Sequence, residues 1–313
     1  MDEISFISGH DRCAAWHFRA TGAAFAGARG VPCVVMAPGF AGTRDIAGLA
    51  EYAEGFAAAG LDAVLFDYRG FAASSGSPRQ LVSASRQRQD YRAATAAARR
   101  LPGVDPDRIV LWGISYSGGH VVRVGAADGR VAAVVALTPA IDGVAVLAQL
   151  VRNAGGGQLV RAAGHGLRDA LTVLTRRRPH LVPMVGEPGS TAMVAKLGAA
   201  QAYAAVAGPS WRNEVCARTA LELAFNRPIR FASRVSCPLL VQVGTNDSLT
   251  PPAAARRAVA EAGAGAELCE YPIDHLDVHA GPALQRALAD QLDFLRRRLS
   301  PTASRGPAIT TTD

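Results

Sequence analysis

Three side chains that together can activate a nucleophile stand far apart in this 313-residue chain, each just beyond an apolar run. Ser115 lies in Gly113-Ile114-Ser115-Tyr116-Ser117-Gly118-Gly119. The run Ile109-Val110-Leu111-Trp112 precedes it, and the helix-compatible His120-Val121-Val122-Arg123-Val124 follows. Small neighbours let such a strand turn sharply into a helix and lift the serine hydroxyl above the sheet edge. Asp247 follows the run Leu239–Val243, and His275 ends Tyr271-Pro272-Ile273-Asp274-His275, after the next expected strand. A serine hydroxyl is a poor nucleophile until a base takes its proton during attack. His275 would be that base and then the acid toward the leaving group. Asp247 would hold the imidazole tautomer and stabilise the imidazolium. The chemistry such a trio supports is acyl transfer.

An oxyanion formed on that path needs preorganised N–H donors. The Tyr116 amide, next after the serine, is one expected donor. The Phe40 amide, in the loop Pro38-Gly39-Phe40-Ala41-Gly42-Thr43, is the other. Asp142, after the run Val131–Leu137, is a rival acid, and His279 is a substitute base. Asp274 adjoins His275 and reads as a loop or capping group. His275, Asp277 and His279 beside Asp274 suggest a metal cluster, but no second ligand group of recognisable spacing accompanies them. No metal and no cofactor is expected. The remaining histidines, His10, His17, His120, His165 and His180, read as structural or surface residues.

The elements that must position these groups alternate. Ile4–Ser8 and Cys13–Arg19 read as a hairpin around Gly9-His10-Asp11-Arg12. Strands are expected over Val31–Ala37, Asp62–Tyr68, the run before Ser115, Val131–Leu137, Cys237–Val243 and Glu267–Tyr271. Helices are expected over Asp45–Ala59, Ser83–Arg100, Pro252–Ala262 and Ala280–Leu299. Such alternation implies α/β architecture with a mostly parallel sheet. It stops between about Asp142 and Arg230, where no clear strand is legible. The expected organisation is a core over 1–141, a mainly helical cap insertion over 142–232, the rest of the core over 233–299, and a disordered tail over 300–313.

Bulk composition narrows the class. The chain is 49% hydrophobic and 19% charged, with net charge +7 carried almost wholly by arginine, Lys196 being its one lysine. The arginines are scattered and no nucleic-acid reader motif accompanies them, so nucleic acid is not an expected partner. Five dispersed cysteines, Cys13, Cys33, Cys216, Cys237 and Cys269, contain no CxxC. They point to reduced thiols and a cytoplasmic protein. The opening Met1-Asp2-Glu3-Ile4 lacks the basic and apolar regions of a secretory leader, and no apolar run reaches the length of a membrane span.

On these residues the chain resembles the α/β-hydrolase superfamily, from Ile4 to Leu299. Ala37-Pro38-Gly39-Phe40, Phe66-Asp67-Tyr68-Arg69-Gly70-Phe71, the segment from Trp112 to His120 and Pro238-Leu239-Leu240-Val241 add to the likeness. They look like the bacterial dienelactone-hydrolase and acyl-peptidase branches. The resemblance implies Ser115, Asp247 and His275 as the triad, with Ser117 departing from the glycine that usually closes the turn. The expected activity is cleavage of a carboxylic ester of a small-molecule acyl substrate through an acyl-enzyme. Thioesterase, lactonase or peptidase/amidase action with the same triad is an alternative, as is a non-hydrolytic protein on this fold. An exposed cap surface would suit a homodimer. No HGGG-type loop is present, which argues against the lipase/esterase branch that uses one.

Overall fold

The computed structural model describes residues 1–299, so the tail expected over 300–313 lies outside the described residues. β1 (Asp2–Ser8) and β2 (Asp11–Phe18) form the expected antiparallel hairpin. Then follow β3 (Val31–Ala37), α1 (Leu49–Ala59), β4 (Asp62–Phe66), α2 (Ala84–Ala98), β5 (Val104–Ile114), α3 (Tyr116–Gly125) and β6 (Val131–Leu137). The next segment carries α4 (Gly143–Ala154), α5 (Gly156–Leu174), β7 (Leu181–Val182), β8 (Val185–Gly186), β9 (Val194–Ala195), α6 (Ala199–Val206), β10 (Val215–Cys216) and α7 (Ala220–Leu223). β11 (Leu239–Gly244), α8 (Pro252–Ala262), β12 (Ala266–Tyr271) and α9 (Gly281–Leu299) complete the described chain.

Eight strands form one sheet in the order β1-β2-β4-β3-β5-β6-β11-β12. From β4 to β12 every pairing is parallel, and β2 meets β4 antiparallel. Both faces are covered, which is why the central strands read as continuous apolar runs. In β3, Cys33, Val35 and Ala37 join the core that contains Tyr91 of α2 and Val121 of α3. Val34 and Met36 join the core that contains Tyr52 of α1 and Phe294 of α9. α1 buries Leu49, Tyr52, Ala53, Phe56 and Ala57, one stripe of an amphipathic helix, and stops at Gly60 with φ 102°.

Some boundaries differ from the sequence reading, each with a local cause. α1 begins at Leu49 rather than Asp45, because Asp45 spends its carboxylate on the Thr43 hydroxyl and on the amide and hydroxyl of Ser210. β5 starts at Val104 and passes through Pro106, which sits in an irregular stretch between the Val31–Val104 and Cys33–Ile109 pairs. The segment expected to lack strands contains two small pairings, β7 with β10 and β8 with β9. Each of these strands is two residues long, too short for an alternating pattern to be legible.

Candidate active site

Ser115 occupies the turn between β5 and α3 with φ 56° and ψ −117°, a strained conformation for a residue with a side chain. Two backbone bonds hold it there: its N–H donates to the Leu137 carbonyl at 2.8 Å, and its carbonyl accepts from Ala140 N–H at 2.8 Å. Gly39 lets the loop after β3 pass directly over the turn. A Cβ at that position would lie 3.1 Å from the Ser115 Cβ.

β11 and β12 end beside this turn and deliver the other two groups. His275 Nδ1 donates to Asp247 Oδ2 at 2.8 Å, which leaves Nε2 to accept from the Ser115 hydroxyl at 2.9 Å. Asp247 Oδ1 also accepts from the amides of Leu249 at 2.8 Å and Thr250 at 2.7 Å, and Oδ2 from the Thr250 hydroxyl at 2.7 Å. Burial alone would raise this carboxyl. The attraction of His275 and the bonds from His275 and Thr250 outweigh it and hold the carboxyl below the ordinary carboxylate range. The site therefore keeps a charged acceptor behind the imidazole.

The rival groups are engaged elsewhere. Asp142 takes Arg227 in a bidentate pair at 2.8 and 2.9 Å and caps α4 through the Val144 amide at 3.1 Å. His279 donates Nδ1–H to the Ala47 carbonyl at 2.8 Å, and burial pushes its pKa down to about 4. Asp277 accepts the Asp274 amide at 2.8 Å, so it closes a turn rather than converging with the two histidines. His120 is buried against the Tyr116 ring and bonds Gln87 at 3.0 Å. His17 is buried with Asp62 at 2.6 Å.

The backbone amides of Phe40 and Tyr116 have no hydrogen-bond acceptor among the described residues. Both residues line the same cavity as Ser115 and His275. Tyr116 is the first residue of α3, so its N–H belongs to the helix N-terminus and has no partner within the helix. The cavity encloses about 780 Å³, its mouth included. Val146, Leu147 and Leu150 of α4, with Met193, Tyr203 and Leu249, make its wall apolar, while Asn153, Asn226 and Thr250 supply polar groups. The stretches Val144–Leu150 and Ala199–Val206 both contribute to this wall.

Three positioning contacts escaped the sequence reading. Ser117 is fully buried, and its hydroxyl donates to the Pro38 carbonyl and bonds the Tyr68 hydroxyl. Asp67 accepts the Arg44 amide at 2.8 Å. The segment after β4 thus holds the loop that presents Phe40 just past its end, through Arg44, and at its start by way of Ser117. Its signal was visible as Phe66-Asp67-Tyr68-Arg69-Gly70, but the type of a residue does not say which loop it will hold. Lys196, beside β9, reaches Ser248 Oγ at 2.5 Å and Asp274 Oδ2 at 2.8 Å. Asp274 also accepts the amides of Ser248 at 2.9 Å and His275 at 2.7 Å. Burial raises the Asp274 carboxyl, but the bonds from Lys196, Ser248 and His275 outweigh it and hold the group far below the usual carboxylate range. The signal for Lys196 was its singularity among so many arginines.

The family model for serine aminopeptidase S33 matches residues 31–273. The chain is similar to the quorum-quenching protein AidA of Acinetobacter baumannii, 34% identical over 297 residues that make up 94% of each protein. It is also similar to the thiohydrolase aneE of Aspergillus aculeatus, 33% identical over 169 residues, 52% of this chain and 50% of that one. Among solved structures it resembles the α/β hydrolase GrgF from Penicillium sp. sh18, with a TM-score of 0.81 at 25% identity, covering 96% of this chain and 99% of that one.

Proposed function

Given that the chain belongs to the serine aminopeptidase S33 family of α/β-hydrolases and is an enzyme of that type, we propose that it cleaves a carboxylic ester through an acyl-enzyme intermediate. The observation that carries this reading is the continuous relay from Ser115 through His275 to Asp247 at the floor of an apolar cavity. Ser115 Oγ attacks the acyl carbonyl while His275 Nε2 takes its proton. Asp247 keeps the proton on Nδ1 and balances the imidazolium charge. The free amides of Phe40 and Tyr116 receive the oxyanion. The imidazolium then gives its proton to the departing alcohol. Water, deprotonated by His275, attacks the acyl-enzyme and releases the acid with Ser115 restored. Residues 142–232 act as the cap, and the apolar faces of α4 and α6 receive the acyl group.

Intact mass after treatment with a fluorophosphonate tests this directly. One adduct on the wild-type protein, absent from Ser115→Ala, is the expected result. Ester turnover in Ser115→Ala should fall by more than about a thousandfold with the fold retained. Full residual turnover would remove Ser115 from the chemistry.

A thioester is the second reading, favoured by the similarity to a protein named a thiohydrolase. The same relay serves esters, thioesters, lactones and amides, so the leaving group alone separates them. A matched panel that shares one acyl chain would rank the four bonds by kcat/KM.

A further inference from the structure

Helix α5 carries two opposite faces of different fate. Inward, Gln158, Ala162, Gly166 and Asp169 are buried. Outward, Val160, Leu167, Leu171 and Leu174 keep 75, 59, 60 and 80% of their surface exposed. These four share one stripe with Gly164, at the i, i+4, i+7, i+11 and i+14 positions of a helix. Single exposed leucines are ordinary, but an aligned row of them on one helix marks a surface that meets something apolar.

The charge beside this row has one sign. Arg161 and Arg168 flank it, Arg176, Arg177 and Arg178 follow its end, and all five are exposed. The one acid of α5, Asp169, is buried and occupied by the amides of His180 at 2.7 Å and Arg218 at 3.0 Å. We propose that α5 docks the protein on an anionic lipid surface, its leucines entering the acyl boundary and its arginines meeting the headgroups. A second copy of the chain fits this face less well. A two-fold pairing along α5 would set the arginines of one copy against those of the other, with no exposed acid on either helix to answer them. α5 packs on α4, and α4 lines the cavity above Ser115, so docking would bring the roof of that cavity to the membrane.

Cosedimentation of the full chain with phosphatidylcholine vesicles, with and without phosphatidylglycerol, tests the proposal. Binding is expected only when phosphatidylglycerol is present, and it should weaken as salt is raised. The variant L167E/L171E should bind at least about tenfold more weakly. Circular dichroism and melting would show that this exposed double substitution leaves the fold intact, whatever the enzyme's substrate. No wild-type binding, or equal binding by the folded variant, would overturn the proposal. So would light scattering that finds a wild-type dimer which L167E/L171E converts to monomer, because a second copy would then cover the face.

Discussion

Ser117 shows how much one hydroxyl can carry. A glycine there would allow the same tight turn, and the sequence reading valued the serine only for being small. In the structure its hydroxyl ties the Pro38 carbonyl to Tyr68, two residues before the free amide of Phe40. Burial pushes the Tyr68 phenol well above its ordinary range, so the phenol stays neutral and donates to Ser117. Cutting this link without disturbing the turn should loosen the Phe40 amide, the proposed oxyanion donor, more than the cavity wall. Ser117→Gly is expected to lower kcat about tenfold with KM nearly unchanged, the mark of an interaction strengthened in the transition state. Steady-state kinetics on one ester would check it. A rise in KM at constant kcat would make Ser117 a part of the binding surface instead.

At the scale of elements, the short strand β9 does more than its two residues suggest. Val194 and Ala195 line the cavity, and Lys196 next to them bonds the loops after β11 and β12 at once. Those loops carry Asp247 and His275, so the wall of the pocket and two of the three relay groups share one anchor. Asn153 of α4 adds a second tie to the Ser248 carbonyl at 2.8 Å. The Lys196–Asp274 pair is partly exposed, which limits its worth in stability to a modest amount. Its effect should be on local order. Lys196→Met is expected to speed amide exchange in the Asn246–Thr250 loop and to lower kcat/KM by about three- to tenfold, with little change in melting temperature. Hydrogen-exchange mass spectrometry beside kinetics measures both. Unchanged exchange in that loop would reduce Lys196 to a surface residue.

Among the buried histidines, His120 and His279 are held neutral by their burial, and this gives the molecule an acid sensitivity. Burial holds His279 down to about 4 and His120 well below its ordinary value. In the unfolded chain both would titrate near 6.5. Below that pH the unfolded state binds protons that the native state refuses, so stability falls as pH drops toward 4. Asp67 acts in the opposite sense: burial raises its carboxyl to about 6, so the native state there holds a proton the unfolded state would release. A difference between two proteins isolates the histidine. His279→Gln keeps a donor for the Ala47 carbonyl and has nothing to titrate. Between about pH 6.5 and about pH 5 the wild type should lose up to about 2 kcal/mol relative to His279→Gln. Urea denaturation of both proteins at the two pH values checks this. Parallel loss in the two would show that His279 is not the group responsible.

The sequence by itself determined whatever is encoded among near neighbours. The alternation of apolar runs and helical stripes set the parallel sheet. Small residues around Ser115 set the turn after β5, and glycines opened the loop that carries Phe40. Each depends on periodicity, on chain-breaking residues or on local backbone freedom, all legible within a dozen positions. Pairings between distant segments were left to the tertiary structure. Asp142 and Asp247 both follow strands, and only the closure of Arg227 on the first and the convergence of the β11 and β12 loops on the second separate them. Lys196 meets Asp274 across 78 residues, and Ser117 meets Pro38 across 79. Likewise in α5 the face that carries Val160, Leu167, Leu171 and Leu174 is the more apolar, yet the face of Gln158, Ala162, Gly166 and Asp169 turns inward. Which one turns inward was decided by where Asp169 finds its amide donors and where α4 and α7 pack.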